Sequence, residues 1–303
     1  MKNIEIGGLG YVSIDYLCTV PYIPLDEKVE AIKRLTQGGG PVATAIVAAS
    51  RLGAKTAFLG VVGDDQVGED IIQEFNREKV DTRHVQVKAG KESALAYCWV
   101  EQKSGKRSIV WSKGTAMPMD AKAVDMDFIS SLKLLHLDGH NTEAAIWAAK
   151  TAKANGVIVS LDAGSILPGI ETLVELSDIC IASEFFARKY TGEENIEKAV
   201  EKLFHTGKRI AAVTMGDKGV IALTPDGLIK KDAFKVPVVD TTGAGDVFHG
   251  AFAYAYLQGW DADKCLDFAG ATAAIKCTGF GGRTGIPGKN EVINFLKKDG
   301  III

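Results

Sequence analysis

The feature that most constrains the fold is the alternation of short apolar runs with helical patterns along most of the chain. Short runs without a polar side are typical of strands that are buried on both faces. The predicted strands are residues 4–9, 56–62, 134–137, 157–161, 179–181 and 210–214, and the predicted helices are 41–52, 69–79, 142–154 and 196–205. This order predicts an α/β fold with a doubly wound, mostly parallel sheet and helices on both of its faces.

Two regions interrupt this alternation. Residues 11–37 alternate in polarity and contain two prolines, and residues 93–112 hold two alternating runs around Ser104-Gly105. Alternating runs that flank a Gly-containing turn are typical of a β-hairpin. We expect the two regions to form a small β-sheet lid beside the main sheet. The alternative is that both are surface loops.

Composition restricts the class of partner. Of 303 residues, 47% are apolar and 24% charged, and the net charge of −3 comes without a dense basic stretch. This composition is typical of a globular protein and argues against nucleic acid or an anionic membrane as a partner. Small molecules and other proteins remain.

Location can also be inferred from the sequence. The five cysteines are scattered without C-x-x-C spacing, no apolar run is long enough to cross a membrane, and the first residues lack a signal-peptide pattern. These observations predict a reduced, cytoplasmic protein without a zinc site or a disulfide framework.

The segment 240–246, Asp-Thr-Thr-Gly-Ala-Gly-Asp, lies directly before a small, apolar helical run. Glycines let backbone N–H groups approach a ligand closely, and a helix N-terminus attracts anions. Gly243, Ala244 and Gly245 therefore predict a cradle for phosphate oxygens. The carboxylate of Asp246 is poorly suited to binding phosphate but well suited to taking a proton from a hydroxyl that attacks phosphorus. The alternative is that Asp246 only caps the helix.

Several ordered motifs resemble the PfkB family of carbohydrate kinases, the ribokinase-like sugar and nucleoside kinases. Besides the segment 240–246, they are the glycine run 38–40 followed by 51–54, Gly-Val-Val-Gly-Asp-Asp-Gln-Val-Gly at 60–68, and Val-Thr-Met-Gly-Asp-Lys-Gly-Val at 213–220. The resemblance covers essentially the whole chain and implies one ribokinase-like domain over 1–303. Its fold would be Rossmann-like, with lid strands from about 11–37 and 93–112.

The resemblance also implies roles for individual residues. Asp246 would be the catalytic base, and the amides of Gly243, Ala244 and Gly245 would bind the transferring γ-phosphoryl group of ATP. Residues expected against the sugar are Asp15, Gly39 and Gly40, and residues expected at the nucleotide are Thr214, Gly216 and Gly219.

Metal ions are implied as well. Mg²⁺ is expected with the nucleotide, although the family's N-x-x-E element is replaced here by Ser183, Glu184, Phe185 and Phe186, which leaves Glu184 as the metal candidate. Asp240 and Thr242 match positions that in some members help to hold a monovalent cation such as K⁺.

The acceptor is narrowed by departures from the family pattern. Thr44 stands near the position of the sugar-binding Asn, and His140 and Asn141 follow a predicted strand as in ketohexokinases. Lys28, in the first lid region, is a candidate for contact with an anionic group of the substrate, and the alternative is a solvated lysine on a lid strand. The C-terminal motifs are closest to the sulfofructose kinase branch, but Asp138 and its neighbours replace the arginine that this branch uses for sulfonate. A ketose or related furanose is therefore our first choice.

A nucleoside kinase and a dehydrogenase are alternatives to the sugar kinase. A nucleoside kinase of the same fold would need large apolar lid residues such as Trp99 or Trp111 against a purine. A dehydrogenase is suggested by Gly8-Leu9-Gly10, but Ser13 occupies the third glycine position. His249 is interpreted as a core residue rather than a partner of Asp246. In the family that the chain resembles, lid strands often pair between subunits, and the resemblance therefore implies a homodimer.

Overall fold

The computed structural model of the protein describes residues 4–103, 107–204 and 207–303. In chain order, the strands are β1 (Ile6–Leu9), β2 (Ser13–Val20), β3 (Lys33–Gly39), β4 (Thr56–Gly63), β5 (Val85–Lys88), β6 (Leu95–Glu101), β7 (Arg107–Ser112), β8 (Leu134–Leu137), β9 (Ile158–Ala163), β10 (Ile179–Ser183), β11 (Ile210–Thr214), β12 (Val220–Thr224) and β13 (Gly227–Lys231). The helices are α1 (Pro41–Leu52), α2 (Gln66–Arg77), α3 (Met126–Ser130), α4 (Thr142–Ala154), α5 (Ile170–Leu176), α6 (Glu184–Thr191), α7 (Ile196–Phe204), α8 (Ala244–Leu257), α9 (Ala262–Lys276) and α10 (Lys289–Lys298), with short 3₁₀ turns at Ala121–Ala123 and Gly216–Lys218.

Nine of these strands form one large sheet in the order β13-β12-β11-β10-β9-β8-β1-β4-β5. Neighbours from β11 to β5 run parallel, whereas β12 and β13 are antiparallel at one edge. Each of the six predicted strands is present, and the predicted mostly parallel sheet is confirmed.

Side chains alternate between the two faces of this sheet, and helices cover both. In β10, Cys180 and Ala182 pack in a core with α4 to α7, whereas Ile179 and Ile181 pack in a core with α8 and α9. A further core joins α1 and α2 to the other end of the second face. Because the parallel strands are buried on both faces, their sequences are apolar runs without a polar side.

Helix boundaries follow local chemistry. Pro41 begins α1, and Gly53 ends it in the left-handed region at φ 112°. Helix α2 begins one turn earlier than predicted, because the Asp65 side chain accepts a hydrogen bond from Gly68 N at 2.9 Å and caps it there. The end of the helix predicted at 196–205 lies outside the described residues.

The remaining strands form the predicted small sheet, in the order β3-β2-β6-β7. Strand β2 is antiparallel to β3 and parallel to β6, and β6 is antiparallel to β7. The hairpin prediction is therefore confirmed for its strands, and its Ser104-Gly105 turn lies outside the described residues. Below, the small sheet is called the lid.

The chain order of the large sheet reverses at β1. From β1 the chain continues to β4 and β5 on one side and later returns to β8 on the other. In open α/β sheets, ligands bind beyond the carboxyl ends of the strands at such a switch point. The loops that follow β1 and β8 are therefore the first place to look for a site. Among the described residues, no helix is long and apolar enough to span a bilayer.

Candidate active site

The segment 240–243 leads directly into α8 at the carboxyl edge of the sheet. Gly243 adopts φ 74°, and a Cβ at this position would lie 2.9 Å from the carbonyl oxygen of Gly282, so that only glycine fits. Ala244 N donates to Thr241 O at 3.2 Å, but among the described residues the amides of Gly243 and Gly245 have no protein acceptor. Free amides at the positive end of a helix form an anion-binding site.

Asp246 lies in the first turn of α8, partly buried beside these amides. Burial and repulsion from the Asp162 carboxylate raise the pKa of Asp246 to about 7, against the opposing effects of His249 and Arg283. A carboxyl group with this pKa exchanges a proton near neutral pH, which is the property of a general base.

His249 lies one turn after Asp246 and is buried, but it is not only a packing residue. Its Nε2 lies 3.3 Å from Oδ1 of Asp162 at the end of β9. Burial acts to lower the pKa of His249, but Asp162 outweighs it, and the pKa is raised. The imidazolium in turn keeps the pKa of Asp162 below its ordinary value in spite of burial. A charged pair therefore lies directly beneath Asp246.

The neighbouring His136 differs from His249 in its protonation state. Its ring lies 5.5 Å from that of His249, and Nδ1 lies 3.2 Å from the hydroxyl of Ser160. Burial and the positive charge of His249 lower the pKa of His136 to about 3, so that this imidazole is neutral.

A cleft of about 210 Å³ extends along the carboxyl ends of successive strands. Its polar lining includes Asp138 after β8, Asp162 in β9, Ser183 in β10 and Thr214 in β11, with Asp246 and His249 from α8. A wider depression near Lys55 and Lys79 lies where β4 begins, and none of these groups lines it.

Asp138 forms the end of the cleft nearest the switch point. Its carboxylate accepts hydrogen bonds from Tyr11 N at 2.9 Å, Val42 N at 3.3 Å and His140 N at 2.9 Å. Burial raises the pKa of Asp138. Any Cβ on Gly10 would overlap this carboxylate, which explains the glycine after β1.

Asp15 projects from the lid strand β2 at the same end of the site. It accepts from the Ser13 hydroxyl at 3.0 Å, and burial raises its pKa. Gly39 lies against this carboxylate, so that a side chain at that position would displace it. Gly40, at φ 99°, precedes α1 in a conformation that favours glycine.

Arg283 organises the space behind these glycines, although sequence reasoning did not identify it. It is 3% exposed and donates to Thr44 Oγ1 at 3.1 Å, Gly39 O at 3.1 Å and Glu74 Oε1 at 3.0 Å. Its backbone N–H donates to Gln37 Oε1 at 3.2 Å. One guanidinium thus joins the C-terminal loop, the lid strand β3, α1 and α2.

Three of the residues predicted to bind the acceptor have other surroundings. The hydroxyl of Thr44 accepts from Arg283. The buried amide of Asn141 donates to Gly10 O at 3.2 Å and accepts from Met119 N at 2.8 Å, so that it ties two loops together. Lys28 is exposed on the connection between β2 and β3. His140 does line the cleft, with its ring 5.2 Å from that of Tyr11.

The opposite end of the cleft contains the residues predicted to bind nucleotide. Thr214 ends β11 and lines the cleft, and the turn that follows contains Gly216 at φ 61° and Gly219 at φ 90°. This turn connects an antiparallel strand pair, β11 and β12, so that the predicted nucleotide loop is the turn of a β-hairpin.

The candidate metal ligands lie apart from one another. Glu184 pairs with Arg188 at 2.9 Å and does not line the cleft. The Asp240 carboxylate accepts from Thr242 N at 2.9 Å and Gly281 N at 2.8 Å, and Thr242 Oγ1 accepts from Arg107 of the lid at 3.1 Å. Within the described ranges, no cluster of three metal-binding side chains is found.

A signal for Asp162 was present in the sequence, because it directly follows a predicted strand and the carboxyl ends of parallel strands meet at one edge. Arg283 gave a weaker signal. It lies in a glycine-rich run, but its partners are up to 246 positions away in the sequence.

Comparisons with known proteins show the family of the chain. The model of the pfkB family of carbohydrate kinases matches residues 6–289. A ribokinase of Haemophilus influenzae is 31% identical, with 95% of this chain and 97% of that protein covered. A 5-dehydro-2-deoxygluconokinase of Clostridium perfringens is 28% identical over 98% of this chain and 94% of that protein.

The fold has a counterpart in the solved structure of Arabidopsis thaliana ribokinase complexed with ribose and ATP. It is 27% identical, with a TM-score of 0.86, and the match covers 97% of this chain and 99% of that one. All of these similarities extend over nearly the whole length of the chain. The chain therefore belongs to the pfkB family of carbohydrate kinases.

Proposed function

We propose that the protein transfers the γ-phosphoryl group of ATP to a hydroxyl of a neutral sugar, with Asp246 as the general base. The observation that carries the proposal is the position of Asp246. It lies between a polar acceptor end of the cleft and a glycine-turn donor end, beside free amides at the start of α8. In phosphoryl transfer, catalysis consists mainly of positioning and charge stabilisation.

The chemical step follows from these positions. The acceptor hydroxyl gives its proton to the Asp246 carboxylate while its oxygen attacks phosphorus, and the bond to the β-phosphate oxygen breaks in line. The amides of Gly243 and Gly245, with Ala244 between them, donate to oxygens on which negative charge develops. The pKa of about 7 for Asp246 matches proton transfer at neutral pH.

ATP would lie towards Thr214 and the turn containing Gly216 and Gly219. The absence of side chains on these glycines gives room for phosphates close to the backbone. Mg²⁺, when bound with the nucleotide, neutralises charge on the phosphates. Asp162 lines the cleft and Glu184 does not, so we propose that Asp162 would be the carboxylate that helps to hold the metal.

The acceptor end favours a neutral sugar. Asp15 and Asp138 both accept hydrogen bonds, and carboxylates bind vicinal hydroxyls through two acceptor oxygens. An acid such as the gluconate named for the Clostridium relative would bring a further negative charge to this end. Arg283 does not offset it, because its guanidinium is engaged by Glu74, Thr44 and Gly39. A ketose or related furanose therefore remains our first choice.

A nucleoside acceptor is the second candidate, and one observation favours it. The cross-strand register places Trp111 on the same face of the lid as Asp15, through Ala96 between them. Trp111 is 64% exposed, so that its ring is free to stack on a base. Adenosine and guanosine therefore belong in the panel that tests the acceptor.

Substitution of Asp246 tests the proposal. With Mg-ATP and a panel of ketoses, pentoses, sugar acids and nucleosides, Asp246→Asn should lower kcat by about 10² to 10⁴, because the base is lost. ATP binding, measured by calorimetry, should remain. Asp267→Asn is the matched control, because Asp267 lies on α9 outside the cleft, where its carboxylate pairs with Lys231 at 3.0 Å. Turnover of Asp246→Asn close to that of the wild type would contradict the mechanism.

The pH profile gives an independent test. The deprotonated form of Asp246 is the active one, so kcat/KM should fall as the pH drops through about 7. His249→Gln removes a positive charge that lowers the pKa of Asp246, and this acid limb should move to higher pH. His84→Gln, a histidine stacked on Phe128 away from the cleft, is the control and should leave the limb in place. An unmoved limb in His249→Gln would contradict the assignment.

We also propose a homodimer through the lid. Strand β7 is an edge strand whose six residues are all exposed, and Tyr97 and Val110 are exposed neighbours on one face. Exposed apolar edges favour pairing with a second chain. Sedimentation equilibrium should give a dimer, and Val110→Lys should convert it to a monomer. Val87→Lys, on the edge strand β5, should remain dimeric. A wild-type monomer at working concentration would refute the proposal.

A further inference from the structure

Lys276 is the last residue of α9, and its side chain is completely buried. Its Nζ donates to the carbonyl oxygen of Asp240 at 2.9 Å and also to the carbonyl oxygen of Thr242. Thr242 directly precedes Gly243, where the amides of the proposed anion hole begin, and Asp240 lies two residues before Thr242. A lysine that is fully buried against backbone carbonyls is costly to desolvate and is therefore unusual.

The end of α9 holds the same loop by further contacts. The carbonyl of Cys277 accepts from Val239 N at 2.8 Å and from Asp240 N at 3.1 Å. Gly281 N donates to Oδ2 of Asp240 at 2.8 Å. Residues 239–242 are thus fixed from one side by the segment that follows α9.

Burial and the neighbouring charges act on the pKa of Lys276 in opposite directions, and the pKa is lowered. Burial lowers the pKa of Lys276, whereas the Asp240, Cys277 and Asp246 side chains act to raise it and Arg107 acts to lower it. The negative end of α9 also lies at this position, because Lys276 is in the last helical turn.

The monovalent cation implied by the family resemblance does not fit here. Hard cations bind through oxygen ligands, and the resemblance assigns this role to Asp240 and Thr242. In this chain the carbonyl oxygens of both residues already accept hydrogen bonds from the Lys276 ammonium. A K⁺ ion at the same oxygens would lie next to a buried like charge, where repulsion is screened little.

We propose that Lys276 is a covalently attached replacement for the monovalent cation, so that the enzyme works without K⁺. This inference rests on the proposed role of the 243–245 amides. The carbonyl of Thr242 and the N–H of Gly243 belong to one planar trans peptide and point in opposite directions. By donating a hydrogen bond to the Thr242 carbonyl, Lys276 fixes the direction of the Gly243 N–H. Lys276 is thus a positioning residue for the anion hole.

The first part of the test uses the wild-type protein. Its kcat/KM for the best sugar of the panel is measured in KCl and in choline chloride at equal ionic strength, with purified, K⁺-free reagents. The expected result is the same value in both salts. Thermal unfolding in the two salts, without substrate, should also give the same midpoint. A several-fold activation by KCl would overturn the inference.

The second part uses Lys276→Ala. In choline chloride, kcat should fall by about 10- to 100-fold, less than or comparable to the loss of an oxyanion-hole donor, because the amides are present but no longer held in direction. KCl or methylammonium chloride should restore most of the activity in a saturable manner. KCl should also raise the unfolding temperature of the variant, which it does not do for the wild type.

Lys208→Ala is the matched control. Lys208 is also buried, and its Nζ donates to the carbonyls of Val174 and Ser177. It lies just before β11, at the amino ends of the parallel strands and therefore on the side opposite the cleft. Its loss should lower stability without making the activity or the unfolding temperature dependent on K⁺. Lys276→Ser, which also leaves room for a cation at the two carbonyls, replaces Lys276→Ala if the alanine variant does not fold.

The outcomes separate this inference from the proposed function. A folded Lys276 variant that keeps full activity in choline chloride, or whose lost activity neither cation restores, overturns the inference and leaves the kinase intact. If the wild type phosphorylates no member of the panel, the proposed function fails. The salt dependence of thermal unfolding in wild type and variant then still decides whether Lys276 occupies a cation site.

Discussion

The two halves of the site depend on one short segment, the chain between the end of α9 and Arg283. At its start, Lys276 and the carbonyl of Cys277 hold the loop that leads into α8. At its end, Arg283 joins the lid strand β3 to α1 and α2. Gly281, between them, donates to Asp240. The proposed anion hole and the proposed sugar-binding face of the lid are therefore fixed relative to each other by eight consecutive residues.

The electrostatics of the cleft follow from where the strands end. Parallel strands deliver Asp138 and Asp162 to one edge, and α8 brings Asp246 against them. His249 neutralises part of this charge, with its Nε2 3.3 Å from Oδ1 of Asp162. Asp246 is left with a pKa of about 7, that is, with a carboxylate that is costly to ionise. The fold thus gives up stability at the position where a base is needed.

The positions of the cleft residues also bear on the identity of the acceptor, which differs among the relatives. The chain is a sugar kinase by its relatives, which are named for different acceptors, ribose and a dehydro-deoxygluconate. The groups around the acceptor end differ from those of the anion hole in origin, because they come from the lid and from the loops after β1 and β8.

The sequence predicts the large sheet well, because strands buried on both faces are simple apolar runs, as at β8 and β10. It also predicts that Gly243 and Asp246 lie at the start of a helix, because that pattern is local. Arg283 was missed, since its role arises from contacts with residues more than 200 positions away. Glu184 was chosen for want of the family motif, but Arg188, one helical turn later, takes its carboxylate. Lys276 looks like any last-turn lysine until the loop before α8 is folded against it.

A crystal structure with Mg-ADP, aluminium fluoride and the preferred sugar tests the central claim most directly. The account predicts that the fluoroaluminate lies within hydrogen-bond distance of the amides of Gly243 and Gly245, with the sugar hydroxyl between it and the Asp246 carboxylate. A fluoroaluminate bound elsewhere, for example at the start of α1 beside Gly40, with Asp246 facing no hydroxyl, would contradict it.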